Sequence, residues 1–144
     1  MSIGKITAVL AITNTALNVT WDDGHRARID FGDIIATRSA LASLSDAQQF
    51  AAVEMSADGW SLEWPCGVDF GAPQLRRWAD EQAGQTMPAS GFRAWIEGHG
   101  FTLEKAADAL GVSRRTIAYY LSGEQPVPKT VLLATIGYDQ QLAA

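Results

Sequence analysis

The chain has 144 residues, enough for one ordinary domain or two small ones. Hydrophobic residues make up 47% and charged residues 19%, a globular balance that excludes an intrinsically disordered chain. The formal net charge of −5 argues against promiscuous nucleic-acid binding, and no apolar run approaches the roughly 18 residues of a membrane span. The opening "MSIGKITAVLAITNTALNV" alternates, without a charged n-region, continuous apolar core and cleavage site, so mature structure is expected there rather than a signal peptide. Cys66 is the sole cysteine, which rules out an internal disulfide and makes the cytoplasm the expected compartment. His25 and His99 have no cysteine or second histidine at ligand spacing, so no metal or other cofactor is expected. Charge is unevenly spread: residues 1–87 hold 6 Lys/Arg against 11 Asp/Glu, and residues 88–144 hold 5 of each.

The first half alternates with period two. "KITAVLAI" reads as a strand; in "LNVTW" Leu17, Val19 and Trp21 share one face, and in "RARIDF" Ala27, Ile29 and Phe31 do so. The intervening Asp23-Gly24 predicts a hairpin with a tight primed turn, since both residue types tolerate positive φ. A similar unit recurs at "AAVEMSADGWSLEWP", around Asp58-Gly59, for about five strands in all. Between the hairpins, Ser45 with Gln48 three residues on has capping-box spacing and predicts a short helix. "APQLRRWADEQAG" predicts another, with Pro73 near its start and Gly84 past its end. This half, residues 1–84, is expected to form an acidic α+β domain.

"GQTMPASG" is rich in Gly, Pro, Ser and Thr and reads as a linker or tight connection. Beyond it, residues 88–144 show only helical spacing and are expected to form an all-α domain. Thr102 is placed to cap a helix that stops at Gly111, and Ser113 to cap a second that ends at Gly123. Two helices crossing through so tight a turn need a small residue at the approach, which Ala107 supplies. Ile117 would plug the angle, with Tyr120 and Leu121 completing the buried side. The last helix is expected from about Pro128 to Ile136, ended by Gly137.

Ala107, Gly111, Val112, Ser113 and Ile117 match the pattern of the lambda-repressor-like, Cro-type helix-turn-helix family, and "YYLSGEQPVPKTV" resembles the segment that follows its recognition helix. The resemblance covers roughly residues 90–137. It implies double-stranded DNA as partner, a homodimer, and a recognition helix, 113–122, lying in the major groove. Ser113, Arg114, Arg115, Thr116 and Tyr119 then occupy positions that meet bases or phosphates, with Thr102 at the supporting helix. On charge alone Arg114-Arg115 would be an ordinary solvated pair; its place straight after Gly-Val-Ser favours DNA contact. Leu103 departs from the family, which often has a phosphate-holding Gln there.

In the front half, "VTWDDG", "SLSDAQQFAAVEM" and above all "WPCGVDF" resemble the bacterial family catalogued as domain of unknown function 2442, over most of residues 3–80. That resemblance implies a compact α+β domain without known catalytic residues, sometimes associated with toxin–antitoxin pairs. No carboxylate pair, nucleophile elbow or phosphate-binding loop stands out, and Cys66 is expected in a turn with no base placed nearby, so an enzyme is not expected. The expectation is a sequence-specific DNA-binding protein, a bacterial transcriptional regulator or antitoxin-like repressor. The alternative is a protein-interaction module, with a toxin-like partner, whose helices no longer contact DNA.

Overall fold

A computed structural model describes residues 4–143; the outermost ends of the two expected domains, residues 1–3 and 144, lie outside the described residues. The chain divides into two compact units, one ending at Gln82 and the other starting at Ala83. Among the described residues no helix is long and apolar enough to cross a membrane.

The first unit opens with an antiparallel meander, β1 (Ile6–Ala11), β2 (Ala16–Trp21) and β3 (Arg26–Asp30). Alternation fixes its faces: Leu17, Val19, Trp21 and Ile29 turn inward and are buried, while Arg26, Arg28 and Asp30 are exposed. The register pairs Leu17 with Ile29 and Val19 with Ala27. The turn between β2 and β3 differs from the primed form expected. Gly24 has φ 83° but Asp23 is not at positive φ; Gly24 N–H donates to the Trp21 carbonyl (3.0 Å) and Trp21 N–H to the His25 carbonyl (2.9 Å). This is a three-residue loop with glycine at the left-handed position. Asp23 serves it through its side chain. Its carboxylate accepts from His25 N–H (3.0 Å) and from Arg76 (3.1 Å), and these bonds hold it below the usual carboxylate range.

Two short helices, α1 (Gly32–Ala36) and α2 (Ala47–Ala51), flank a 3₁₀ stretch, Ser39–Ser45. The cap expected at Ser45 belongs to Asp46, which accepts from Gln48 N–H at 3.0 Å. Ser45 is still inside the 3₁₀ stretch, where its hydroxyl donates back to the Ala42 carbonyl at 2.6 Å.

A second antiparallel sheet follows, β4 (Glu54–Met55), β5 (Ser61–Glu63) and β6 (Asp69–Gly71), so this unit has six strands among the described residues rather than about five. The additional hairpin turns on "WPCGV". Trp64 N–H donates to the Val68 carbonyl and Gly67 N–H to the Trp64 carbonyl, both at 2.9 Å, with Gly67 at φ 95°. The same arrangement closes Trp21 to His25, so two buried tryptophans each begin a loop of one design. Cys66 lies exposed on the second loop, where hydrogen bonds with the Ser43 side chain and the Val68 backbone hold its thiol below the usual range. At Gly59 (φ 77°) the two sheets meet: Ile6 N–H donates to the Gly59 carbonyl at 2.7 Å, and a Cβ on Gly59 would lie 2.8 Å from the Ile6 carbonyl oxygen. Helix α3 (Ala72–Gln82) closes the unit with Ala72, Leu75 and Ala79 buried. At the centre sits Phe31, fully buried, with the rings of Phe50, Trp64, Phe70 and Trp78 around it at centroid distances of 5.7, 6.2, 5.9 and 5.9 Å.

The second unit corrects two expectations. "GQTMPASG", expected as a linker or tight connection, is not a free linker: Thr86–Met87 form β7, paired with β8 (Val127–Pro128), and Ala89 already begins helix α4 (Ala89–His99). A two-residue strand is too short to show alternation, and Pro88, with φ −58° and ψ 142°, is the extended N-cap rather than a breaker. After α5 (Leu103–Leu110) and α6 (Arg114–Ser122), helix α7 (Lys129–Ala143) runs straight through Gly137. Glycine costs a helix interior only about 1 kcal/mol, and α7 is anchored beyond it. The Asp139 carboxylate accepts from Trp95 Nε1 (3.0 Å) and pairs with His99 Nε2 (2.7 Å), contacts that hold it below the usual carboxylate range. Trp95 is half-buried here, edge-on to Tyr138 and Phe101. The core proper gathers Phe92, Ile96, Ala106, Ala107, Ile117, Tyr120, Val127 and Val131.

Candidate nucleic-acid interface

Helices α5 and α6 are set by local chemistry at each end. Thr102 Oγ1 accepts from Lys105 N–H at 3.2 Å and caps α5. Gly111 ends it in the left-handed conformation, φ 72°, its N–H and that of Val112 both donating to the Ala107 carbonyl at 2.9 and 3.1 Å. Ser113 Oγ then accepts from Thr116 N–H at 3.1 Å and caps α6, with the Ser113 and Thr116 hydroxyls 2.8 Å apart. Ile117 is fully buried against Ala106 and Ala107, and Tyr120 lies beside it; Leu121 is half-buried rather than buried. Replacing Ser113 by Ala should cost about 1 kcal/mol in urea unfolding, with Ser113→Asp retaining most of the cap.

The outward face of α6 is what this packing leaves. Arg114, Arg115 and Ala118 are exposed and Tyr119 half-buried. Thus Ser113, Arg114, Arg115, Thr116 and Tyr119 come together on one helix, while Thr102 stands apart at the start of α5. Ser113 and Thr116 are committed to the cap. Arg115 Nε donates to the Tyr119 hydroxyl at 2.7 Å, and its guanidinium lies 5.3 Å from the Tyr119 ring centroid. Arg114 faces the other way, 3.8 Å from Glu104 at the first turn of α5, both side chains well exposed. Such a surface pair is worth little and leaves Arg114 free to leave it. Two participants carry no motif signal: Glu104, and Arg93, which donates to the Leu121 carbonyl at 3.3 Å and secures the end of α6. Arg93 lies in the preceding helix, so only tertiary packing reveals it.

The sequence falls into families on both sides of Gln82. The chain belongs to the family described as protein of unknown function (DUF2442), which matches residues 6–81. Residues 92–134 match a helix-turn-helix family, so the second unit carries a helix-turn-helix domain. No curated protein matches the chain. A solved structure from Nitrosomonas europaea, NE0471, whose name describes it as a candidate DNA-binding protein, is 36% identical, with 94% of this chain and 86% of that one covered and a TM-score of 0.54.

Proposed function

We propose that the chain binds double-stranded DNA sequence-specifically as a homodimer, laying α6 in the major groove, and acts as a cytoplasmic transcriptional regulator or antitoxin-like repressor rather than as an enzyme. The observation that carries this reading is the outward face of α6: Arg114 and Arg115 in its first turn, beside Ala118 and behind a capped, tightly turned junction. That is the end of a recognition helix that contacts base edges. The helix-turn-helix match and the name of the Nitrosomonas europaea relative support it. A unit with balanced charge neutralises few phosphates per copy, and each adds only about 0.9 to the salt slope, so affinity depends on two copies engaging together.

Fluorescence anisotropy on the chain's own upstream DNA, at low and moderate salt, tests the reading. Wild type should select a specific site, and Arg114→Ala with Arg115→Ala should weaken it at least about 5-fold, since one lost base contact alone is worth about 1–3 kcal/mol. Binding indifferent to the double substitution would refute it. A second reading, a protein-interaction module with a toxin-like partner, draws on the Glu104–Arg114 contact, which offsets part of the positive charge. A stoichiometric protein partner, with no DNA selected from random sequence, would favour that reading.

A further inference from the structure

The two arginines of α6 are held differently, and the difference assigns them different work. Arg114 reaches only an exposed carboxylate at 3.8 Å, a loose contact. Arg115 is fixed at two points by one neighbour a turn later: its Nε donates to the Tyr119 hydroxyl at 2.7 Å, and its guanidinium lies over the ring at 5.3 Å. Among the described residues its two Nη groups carry no hydrogen bond or ion pair. With Nε occupied, four N–H donors remain on the two Nη groups, and the two at the end of the fork point in parallel. That pair matches the O6 and N7 acceptors on the major-groove edge of guanine.

Resting on the DNA-binding reading above, we infer that Arg115 is the guanine-reading residue of this chain and Tyr119 its positioning residue, while Arg114 contributes sequence-independent attraction to phosphate. An arginine normally loses rotamer freedom when it docks; one already braced in the free protein loses less. By the usual cost of immobilising such a side chain, the brace is worth about 2- to 13-fold in affinity for the guanine site. Tyr119→Phe keeps the ring beneath the guanidinium and loses the hydroxyl, and Tyr119→Leu loses both.

Random-site selection with the full chain, followed by titration of single base-pair variants, tests this. Arg115→Ala should abolish a preference for guanine at one position, by about 5- to 150-fold, and 7-deazaguanine there should weaken wild type but not Arg115→Ala. Arg114→Ala should lower affinity for all sequences alike and reduce the salt slope by about 1. Tyr119→Phe and then Tyr119→Leu should progressively weaken that same guanine preference. In the free protein, nitrogen-15 relaxation of the Arg115 Nε–H should report a rigid group in wild type that becomes mobile in Tyr119→Leu. Selection of no site would sink the DNA reading and this inference with it. A selected site at which Arg115→Ala weakens every base equally, or Tyr119→Leu changes nothing, or a mobile Nε–H in wild type, would overturn this inference alone.

Discussion

Phe31→Ala is expected to destabilise the first unit by about 3–5 kcal/mol, a large share of what a small domain has to lose. The residue follows β3 directly, yet its ring touches Phe50 from α2, Trp64 after β5, Phe70 from β6 and Trp78 from α3. One side chain therefore joins the first sheet, the second sheet and two helices. Truncation leaves a cavity that the surrounding rings close only in part; the Trp64 indole, for one, is fixed in place by donating to the Phe50 carbonyl at 2.9 Å. Edge-on ring contacts worth about 0.5–1.5 kcal/mol are lost as well. Phe31→Leu, which keeps most of the volume, should cost clearly less. Urea unfolding followed by near-ultraviolet circular dichroism checks both, and a loss below about 1 kcal/mol for the alanine variant would show that the cluster is not the keystone of the fold.

The second large effect is expected at Ile117. Ile117→Ala should cost about 2–5 kcal/mol, and Ile117→Val only about 0.5–1.5 kcal/mol. The side chain is fully buried at the crossing of α5 and α6, where Ala106 and Ala107 allow the backbones to approach. Ala106 and Ala107, the buried residues of α5, are too short to fill the gap. The substitution should also weaken sequence-specific DNA binding beyond its effect on stability, because the angle between the helices sets where Arg114 and Arg115 stand. Thermal unfolding with anisotropy measured well below the transition separates the two effects. Equal affinity of the folded Ile117→Ala variant and wild type would show that α6 keeps its pose without the plug.

What could be read from the residues was whatever local chemistry decides. Thr102 and Ser113 cap the helices as expected because a cap needs only an oxygen and an N–H two or three positions on. The strands around Asp23-Gly24 and Asp58-Gly59 were legible because alternation and glycine act within a few residues. "WPCGV" makes a turn of the same design as "WDDGH", but without an Asp-Gly or Asn-Gly pair it carries no short-range hairpin signal, so β6 is not legible in the sequence. Gly137 and "GQTMPASG" misled for the opposite reason. Their composition suggests an end and a linker, while the contacts that override it, Asp139 on Trp95 and His99, and β7 on β8, come from residues about 40 positions away. At the interface the residues were legible and their division was not. Arg114 and Arg115 are adjacent and alike in sequence; only the side chains each one meets tell them apart.

The β7–β8 pairing bears on any attempt to move the reading head into another protein. The recognisable motif begins at Phe92, but Met87 lies opposite Val127, a nearly fully buried core residue, and Thr86 lies opposite Pro128. A graft cut at the motif boundary would discard one strand of that ladder and uncover the core beside the segment leading out of α6. Transplanting from Ala83 onward carries both strands together, so the portable cassette is longer than the signature by which it is recognised.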